Sequence, residues 1–305
     1  MTISVIPFDA GEALLDWHGL CDAFVAGHSL PKAEIADTFL YRGDDTLLSR
    51  AAWIDGMGIA VKSATIFPNN AAVSKPTING GTNLYSDADG MLQAVVDFHL
   101  VTKWKTAGDS LLGALKLAPP SVSNILIVGA GTVAASLIEA FGAGFPDASF
   151  FVWNRTPEGA HNLAQTSDRV EPVDNLPKAV EAADIILTAT MSKDPVIHGD
   201  WLRGGQLLNM IGAYRPDMRE ADDTAMRRGR IFVDSMDTTI GHIGEIEIPL
   251  KSGVIKKTDI LADFYNIDQF TPCAPDQITI FKNGGGAHLD LMTGRYIYDR
   301  WQSAA

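Results

Sequence analysis

Cysteine is almost missing from this 305-residue chain, which holds only Cys21 and Cys273. Two such residues without paired spacing indicate neither a disulfide framework nor a zinc site, and no metal is expected. Basic residues are also scarce: 24 Lys and Arg stand against 37 Asp and Glu, a formal charge of −13. That balance argues against nucleic acid or an anionic membrane surface as a partner, so an anionic substrate has to be drawn by local cations. No apolar run approaches the length of a membrane span. The opening Met-Thr-Ile-Ser-Val-Ile-Pro carries no basic region and no long apolar segment, so no signal peptide is read and the cytoplasm is the expected compartment. Internal repeats and low-complexity tracts are lacking as well. What remains is a composition of 46% hydrophobic residues, ordinary for a globular protein of about two domains.

The richest segment is 125–156. The apolar run Ile125-Leu126-Ile127-Val128 feeds Gly129-Ala130-Gly131-Thr132-Val133-Ala134 and a helical stretch, Ala135–Phe141; a second run, Phe150-Phe151-Val152-Trp153, ends at Asn154-Arg155-Thr156. Strand, glycine turn, helix and strand make a βαβ unit with a dinucleotide fingerprint at its first turn. Gly129 permits the tight turn, Gly131 lets backbone approach a pyrophosphate, and Ala134 allows close packing of helix on strand. The helix N-terminus, with Thr132 and Val133 in its first turn, favours phosphate. An NAD site usually has Asp or Glu at the end of the second strand, whereas here no carboxylate occurs until Glu158. Arg155 can pair with a 2′-phosphate and Thr156 can donate to it. NADPH is the expected cofactor, with NADH as the alternative.

Around this unit the texture changes twice. Residues 11–27 have helical spacing, with Leu14, Leu15, Trp17, Leu20, Cys21, Phe24 and Val25 on one apolar face. From Thr38 to Phe98 short β-rich runs broken by turn residues predict a meander, with one strand ending near Lys62. Residues 99–116 read as helix, and Ala118-Pro119-Pro120-Ser121-Val122-Ser123 as a linker. After Thr156, helices at Pro157–Gln165, Leu176–Ala183 and Met218–Arg228 alternate with strands at Asp184–Thr188, Gln206–Ile211 and Ile231–Asp234. That rhythm predicts a doubly wound parallel sheet. A helical tail from Ala287 is expected to pack back on the first domain. The expected fold is therefore α/β: a Rossmann nucleotide-binding domain over 119–287 and a split α+β domain made of 1–118 with 288–305. Strand ends at the switch point line such a cofactor site, which adds Thr188, Thr190 and Tyr214, with Asn283 and Gly285 in the glycine-rich stretch after Phe281.

Together these segments resemble the ornithine cyclodeaminase/mu-crystallin family over nearly the full length. The matching residues are Tyr41-Arg42, Val61-Lys62 with Phe67-Pro68, Thr102 to Ala107, the fingerprint, Trp153 to Thr156, Gly212 to Glu220, and Ile278 to Gly285 followed by Asp290. The resemblance implies a substrate and dimerisation domain, and hence a homodimer. It also implies that Arg42 and Lys62 hold a substrate carboxylate, that Lys105, Asn79 and Asp290 complete the substrate site, and that Thr106 touches the cofactor. Lys62 could also protonate an imine nitrogen if neighbouring positive charge lowers its pKa. Two departures narrow the activity. Lys105 stands where the family usually has Arg, keeping charge but losing the two-pronged fork. Tyr214 stands where cyclodeaminases carry Asp, and a phenol is a poor base at neutral pH. Reduction of a small cyclic α-imino acid, Δ1-pyrroline-2-carboxylate or Δ1-piperideine-2-carboxylate, needs only hydride, a proton and a carboxylate clamp, and is the favoured expectation. Ornithine cyclodeaminase, alanine dehydrogenase and a non-catalytic, crystallin-like binding protein stay open as alternatives.

Overall fold

A computed structural model describes residues 3–304, which divide into two compact units: 3–105 with 285–304, and 106–284. In the first, β1 (Ser4–Ile6), α1 (Phe8–Glu12) and α2 (Trp17–His28) precede β2 (Glu34–Arg42), β3 (Asp45–Ile54), β4 (Gly58–Ile66), β5 (Ile78–Tyr85) and β6 (Leu92–Asp97). The strands form one sheet in the order β1-β6-β5-β4-β3-β2, antiparallel except for the β1–β6 pair. The helical stretch expected over 11–27 is two helices. Asp16 caps the second by accepting from Gly19 N at 2.6 Å, which ends the preceding turn. The strand expected to end near Lys62 runs on to Ile66, so Lys62 lies mid-strand. Gly58, Ala60, Lys62 and Ala64 alternate onto the buried face of β4, as the two-residue period of a strand requires. The C-terminal helix, Ala287–Ala304, packs against β3 and β4.

The helix α3 (Phe98–Leu117) runs unbroken from the first unit into the second. The junctions expected at 118/119 and 287/288 fall instead at 105/106 and 284/285. The later half of α3 belongs with the parallel sheet for a packing reason: a Cβ on Gly113 would meet the Phe281 ring at 2.6 Å, and Asn209 donates to the Ser110 carbonyl at 2.8 Å.

In the second unit β7 (Asn124–Val128), α4 (Thr132–Gly144), β8 (Ser149–Trp153), α5 (Pro157–Ala164), β9 (Val170–Pro172), α6 (Leu176–Ala182), β10 (Ile185–Thr188) and β11 (Gln206–Met210) alternate. They are followed by α7 (Asp223–Arg228), β12 (Gly229–Val233), α8 (Met236–Thr239), α9 (Gly244–Lys251), β13 (Ile260–Ala262) and β14 (Ile278–Lys282). All eight strands are parallel, in the order β13-β12-β14-β11-β10-β7-β8-β9. Strands β10, β11 and β14 are buried along their whole length, which explains why they read as continuous apolar runs without alternation. The chain order reverses between β7 and β10, so the switch point lies at their carboxyl ends. The helix expected over Met218–Arg228 begins only at Asp223. Asp222 caps it through Ala225 N at 2.8 Å, and the residues before it are spent as an acceptor loop. No helix of the described residues is long and apolar enough to cross a membrane.

Candidate active site

The switch point of the second unit opens a cavity of about 290 Å³ lined by Gly129, Ala130, Gly131, Trp153, Asn154, Arg155, Thr156, Ala189, Thr190, Met191, Ser192 and Val196. Gly129 has φ +111°, and a Cβ there would meet the Ala189 carbonyl oxygen at 2.6 Å, so only glycine fits between β7 and β10. A Cβ on Gly131 would meet nothing within 4 Å. That clear approach, at the N-cap of α4, is what a diphosphate needs from backbone. Asn154 donates to the Thr156 carbonyl at 2.8 Å and closes the turn beneath Arg155. The residues present therefore fit the diphosphate and ribose end of a dinucleotide.

Behind the cavity lies a buried carboxylate with no counterpart among the expected site residues. Glu220 accepts from Thr188 Oγ1 at 2.8 Å and from Thr190 N, Thr190 Oγ1 and Gly212 N at 2.7 Å each. It thereby ties together the ends of β10 and β11. Glu245 accepts in turn from Glu220 N at 2.5 Å and Ala221 N at 3.1 Å, and burial, with Glu220 close by, pushes it up to about 7. Lys282 is fully buried nearby and donates to the Met210 carbonyl at 3.1 Å. Burial lowers its pKa against the pull of Glu220, Glu245, Asp234 and Asp109.

The first unit holds the other chemical group. Lys62 Nζ lies 2.9 Å from Asp290 Oδ1 and 4.7 Å from the centre of the Phe98 ring. Lys105 Nζ is 3.8 Å from the same carboxylate oxygen and donates to the Gly285 carbonyl at 3.2 Å. Arg50 donates to that carbonyl too, from Nη1 at 2.9 Å, while its Nε and Nη2 engage Asp37 at 3.0 Å. Desolvation by burial lowers Lys62 to about 8, with Lys105 and Arg50 pushing the same way and Asp290 opposing. Asp290 is held down at about 2: the positive charges of Lys105, Lys62 and Arg50 outweigh its burial. Among the described residues, Oδ2 of Asp290 is buried with no hydrogen-bond partner.

The sequence expectations divide accordingly. Gly129, Gly131, Asn154, Arg155, Thr156 and Thr190 line the cavity, with Thr132 and Val133 in the helix turn above it. Thr188 is buried and spends its hydroxyl on Glu220, and Tyr214 is exposed outside the lining. Asn283 ties α3 down, donating to the Thr106 carbonyl at 3.0 Å and Ser110 Oγ at 2.9 Å, so neither Asn283 nor Thr106 faces the cavity. Gly285, expected at the cofactor, belongs to the cation cluster of the first unit. Lys62, Lys105 and Asp290 come together; Arg42 and Asn79 do not join them. Arg42 is at the β2–β3 turn, its side chain 80% exposed and paired with Asp45 at 2.9 Å. Asn79 pairs with Thr65, three positions from the Lys62–Thr82 pair and so on the other face, and it donates to Pro76 O at 3.3 Å. Arg50 and Glu220 were missed. A single Arg in a β meander and a single Glu after a loop give no spacing signal, because the partners that define them are distant in sequence.

A doubly wound sheet with a glycine turn at its switch point, joined to a separate α+β unit, defines a Rossmann-type nucleotide-binding protein. The model of the ornithine cyclodeaminase/mu-crystallin family matches residues 52–305, and the chain belongs to that family. It is 48% identical over 293 residues to the Δ1-pyrroline-2-carboxylate reductase of Paracoccus denitrificans, covering 93% of this chain and 92% of that one. It is 33% identical over 247 residues to mouse ketimine reductase mu-crystallin, covering 80% and 77%. In fold it is similar to Thermococcus litoralis Δ1-pyrroline-2-carboxylate reductase, solved with NADH and L-proline, with TM-score 0.90, 23% identity, and 99% and 98% of the two chains covered.

Proposed function

We propose that this protein is an NADPH-preferring reductase of a small cyclic α-imino acid, taking Δ1-pyrroline-2-carboxylate to L-proline or Δ1-piperideine-2-carboxylate to L-pipecolate. The observation that carries the reading is the buried Lys62, lowered to about 8 among further cations. The 48% identity to a protein named for this reduction supports the same substrate class.

The chemistry follows from the substrate. An α-imino acid has a carboxylate next to an electrophilic carbon, and the cations around Lys105 and Lys62 attract the carboxylate and so fix that carbon. A reduced nicotinamide cofactor, which Gly129, Gly131, Arg155 and Thr156 would hold by its diphosphate and ribose end, would supply the hydride. Lys62, an ammonium with a pKa near the working pH, gives the proton to the imine nitrogen, and the double bond becomes a C–H and an N–H. Asp290 stays ionised throughout and holds the Lys62 ammonium in place, and its Oδ2 is available to accept the ring N–H. Tyr214, where a cyclodeaminase has Asp, provides no base for ammonia loss.

Preference for NADPH rests on Asn154-Arg155-Thr156 in the cavity lining. A guanidinium pairs with the 2′-phosphate, and no carboxylate is there to repel it. A homodimer is supported by β2, an edge strand whose nine residues are all exposed, among them Phe39, Leu40 and Tyr41. Such an edge invites pairing with a second copy.

The test follows oxidation of NADPH and of NADH with each cyclic imine, with pyruvate plus ammonia, and with ornithine. Rapid turnover of a cyclic imine with NADPH is expected. Failure with both ring sizes, or faster turnover of pyruvate or ornithine, overturns the reading.

A further inference from the structure

The carboxylate clamp of a reductase wants a guanidinium, and the residue expected to supply it, Arg42, points elsewhere. In the β2–β3 register Arg42 pairs with Asp45, whereas Asp37 pairs with Arg50 and Arg50 with Lys62. Arg42 is thus five positions along β2 from the Asp37 row, about 16 Å at the usual rise per residue. The odd offset turns it to the opposite face of the sheet. Its charge is spent on Asp45 and the Phe67 ring.

We propose that Arg50, held by Asp37, is the guanidinium that receives the substrate carboxylate. The assignment rests on the reductase reading and deepens it. Three observations carry it. Cross-strand register puts Arg50 directly beside Lys62 on the face that the C-terminal helix covers with Asp290. Its guanidinium is fixed at both ends, by the Asp37 carboxylate and by the Gly285 carbonyl it shares with Lys105. A guanidinium held in one orientation loses little freedom when a carboxylate reaches it. Its side chain keeps 25% of its surface accessible, against 7% for Lys62 and 9% for Lys105, so it is the cation a ligand meets most readily.

The charges gathered here point the same way: Arg50, Lys62 and Lys105 lie around Asp37 and Asp290, and a carboxylate is the ligand group such cations draw. Arg50 also helps to keep Lys62 below its ordinary value, so it links binding of the carboxylate to the proton that Lys62 gives.

The experiment compares Arg50→Met, Arg50→Lys and Arg42→Met in the full chain. Each is assayed with Δ1-pyrroline-2-carboxylate and with 1-pyrroline, the same ring without the carboxylate. Arg50→Met is expected to raise KM for the carboxylate substrate about 100-fold, the worth of a charge-assisted fork, with 1-pyrroline turnover changed less than about threefold. Arg50→Lys recovers part of the loss, and Arg42→Met changes either substrate less than about twofold. The alkaline limb of the pH profile moves upward in Arg50→Met and stays in Arg42→Met. Equal losses on both substrates, or a loss confined to Arg42→Met, overturn the assignment. Binding of pyrrole-2-carboxylate, a planar unreactive carboxylate, by ligand-observed NMR decides the point without turnover. Weakening in Arg50→Met alone supports Arg50 even if neither imine is reduced and the reductase reading fails. Unchanged binding, or none to the unaltered protein, overturns it.

Discussion

Lys62, Lys105 and Lys282 are buried among the described residues, and the first two sit in opposite company to the third. Lys62 has two further cations, Arg50 and Lys105, around the single buried carboxylate of Asp290. Lys282 lies among carboxylates, those of Glu220, Glu245, Asp234 and Asp109. In the second group backbone N–H groups of Thr190, Gly212, Glu220 and Ala221 take up the surplus negative charge. Glu220 and Glu245 accept from these groups and Lys282 donates to the Met210 carbonyl, so together they hold the ends of β10, β11 and β14. In the first group, among the described residues, Oδ2 of Asp290 is buried without a hydrogen-bond partner, and the proposed substrate would supply one. Burial by itself does not mark a functional lysine.

The largest effect that tests this contrast is expected from Lys62→Met, which removes the proton donor. Turnover should fall at least about 10³-fold, while NADPH binding, measured by fluorescence titration, stays within about twofold. Retained turnover would make Lys62 a second structural lysine. Lys282→Met should do the reverse: it leaves buried carboxylates uncompensated and should lower stability by about 3 kcal/mol in urea unfolding. Unchanged stability would break the comparison from the other side. Arg155→Ala should raise KM for NADPH about 10- to 100-fold and leave NADH within about twofold, showing that cofactor choice is independent of both lysine groups. The smallest effect is in pH. The protonated form of Lys62 is the active one and its pKa is about 8, so kcat/KM should be level below that value and decline as pH rises through it. A profile level to pH 10 would remove Lys62 from proton transfer.

The nucleotide-binding half was the easier to read in advance, and for a local reason. Ile125 to Thr156 carry strand, turn, helix and strand within one contiguous stretch, and the cavity forms where that stretch meets the end of β10. In the other half the residues expected from family resemblance divide: Lys62, Lys105 and Asp290 lie together with Gly285, and Arg42 lies apart from them beside Asp45. Strand pairing decides such matters, since a register shift of one residue turns a side chain to the other face. Arg50 became visible only beside Asp37 and Lys62, and Glu220 only beneath Thr188, Thr190 and Gly212.

By itself the sequence determined the α/β class and the dinucleotide fingerprint at Gly129 to Ala134, because each depends on neighbours within a few residues. Tertiary structure alone decided which cations share one carboxylate and which carboxylates are met by backbone N–H groups. Those are balances of charge among residues as far apart as Lys62 and Asp290, and only pairing and packing bring such residues within 3 Å of each other.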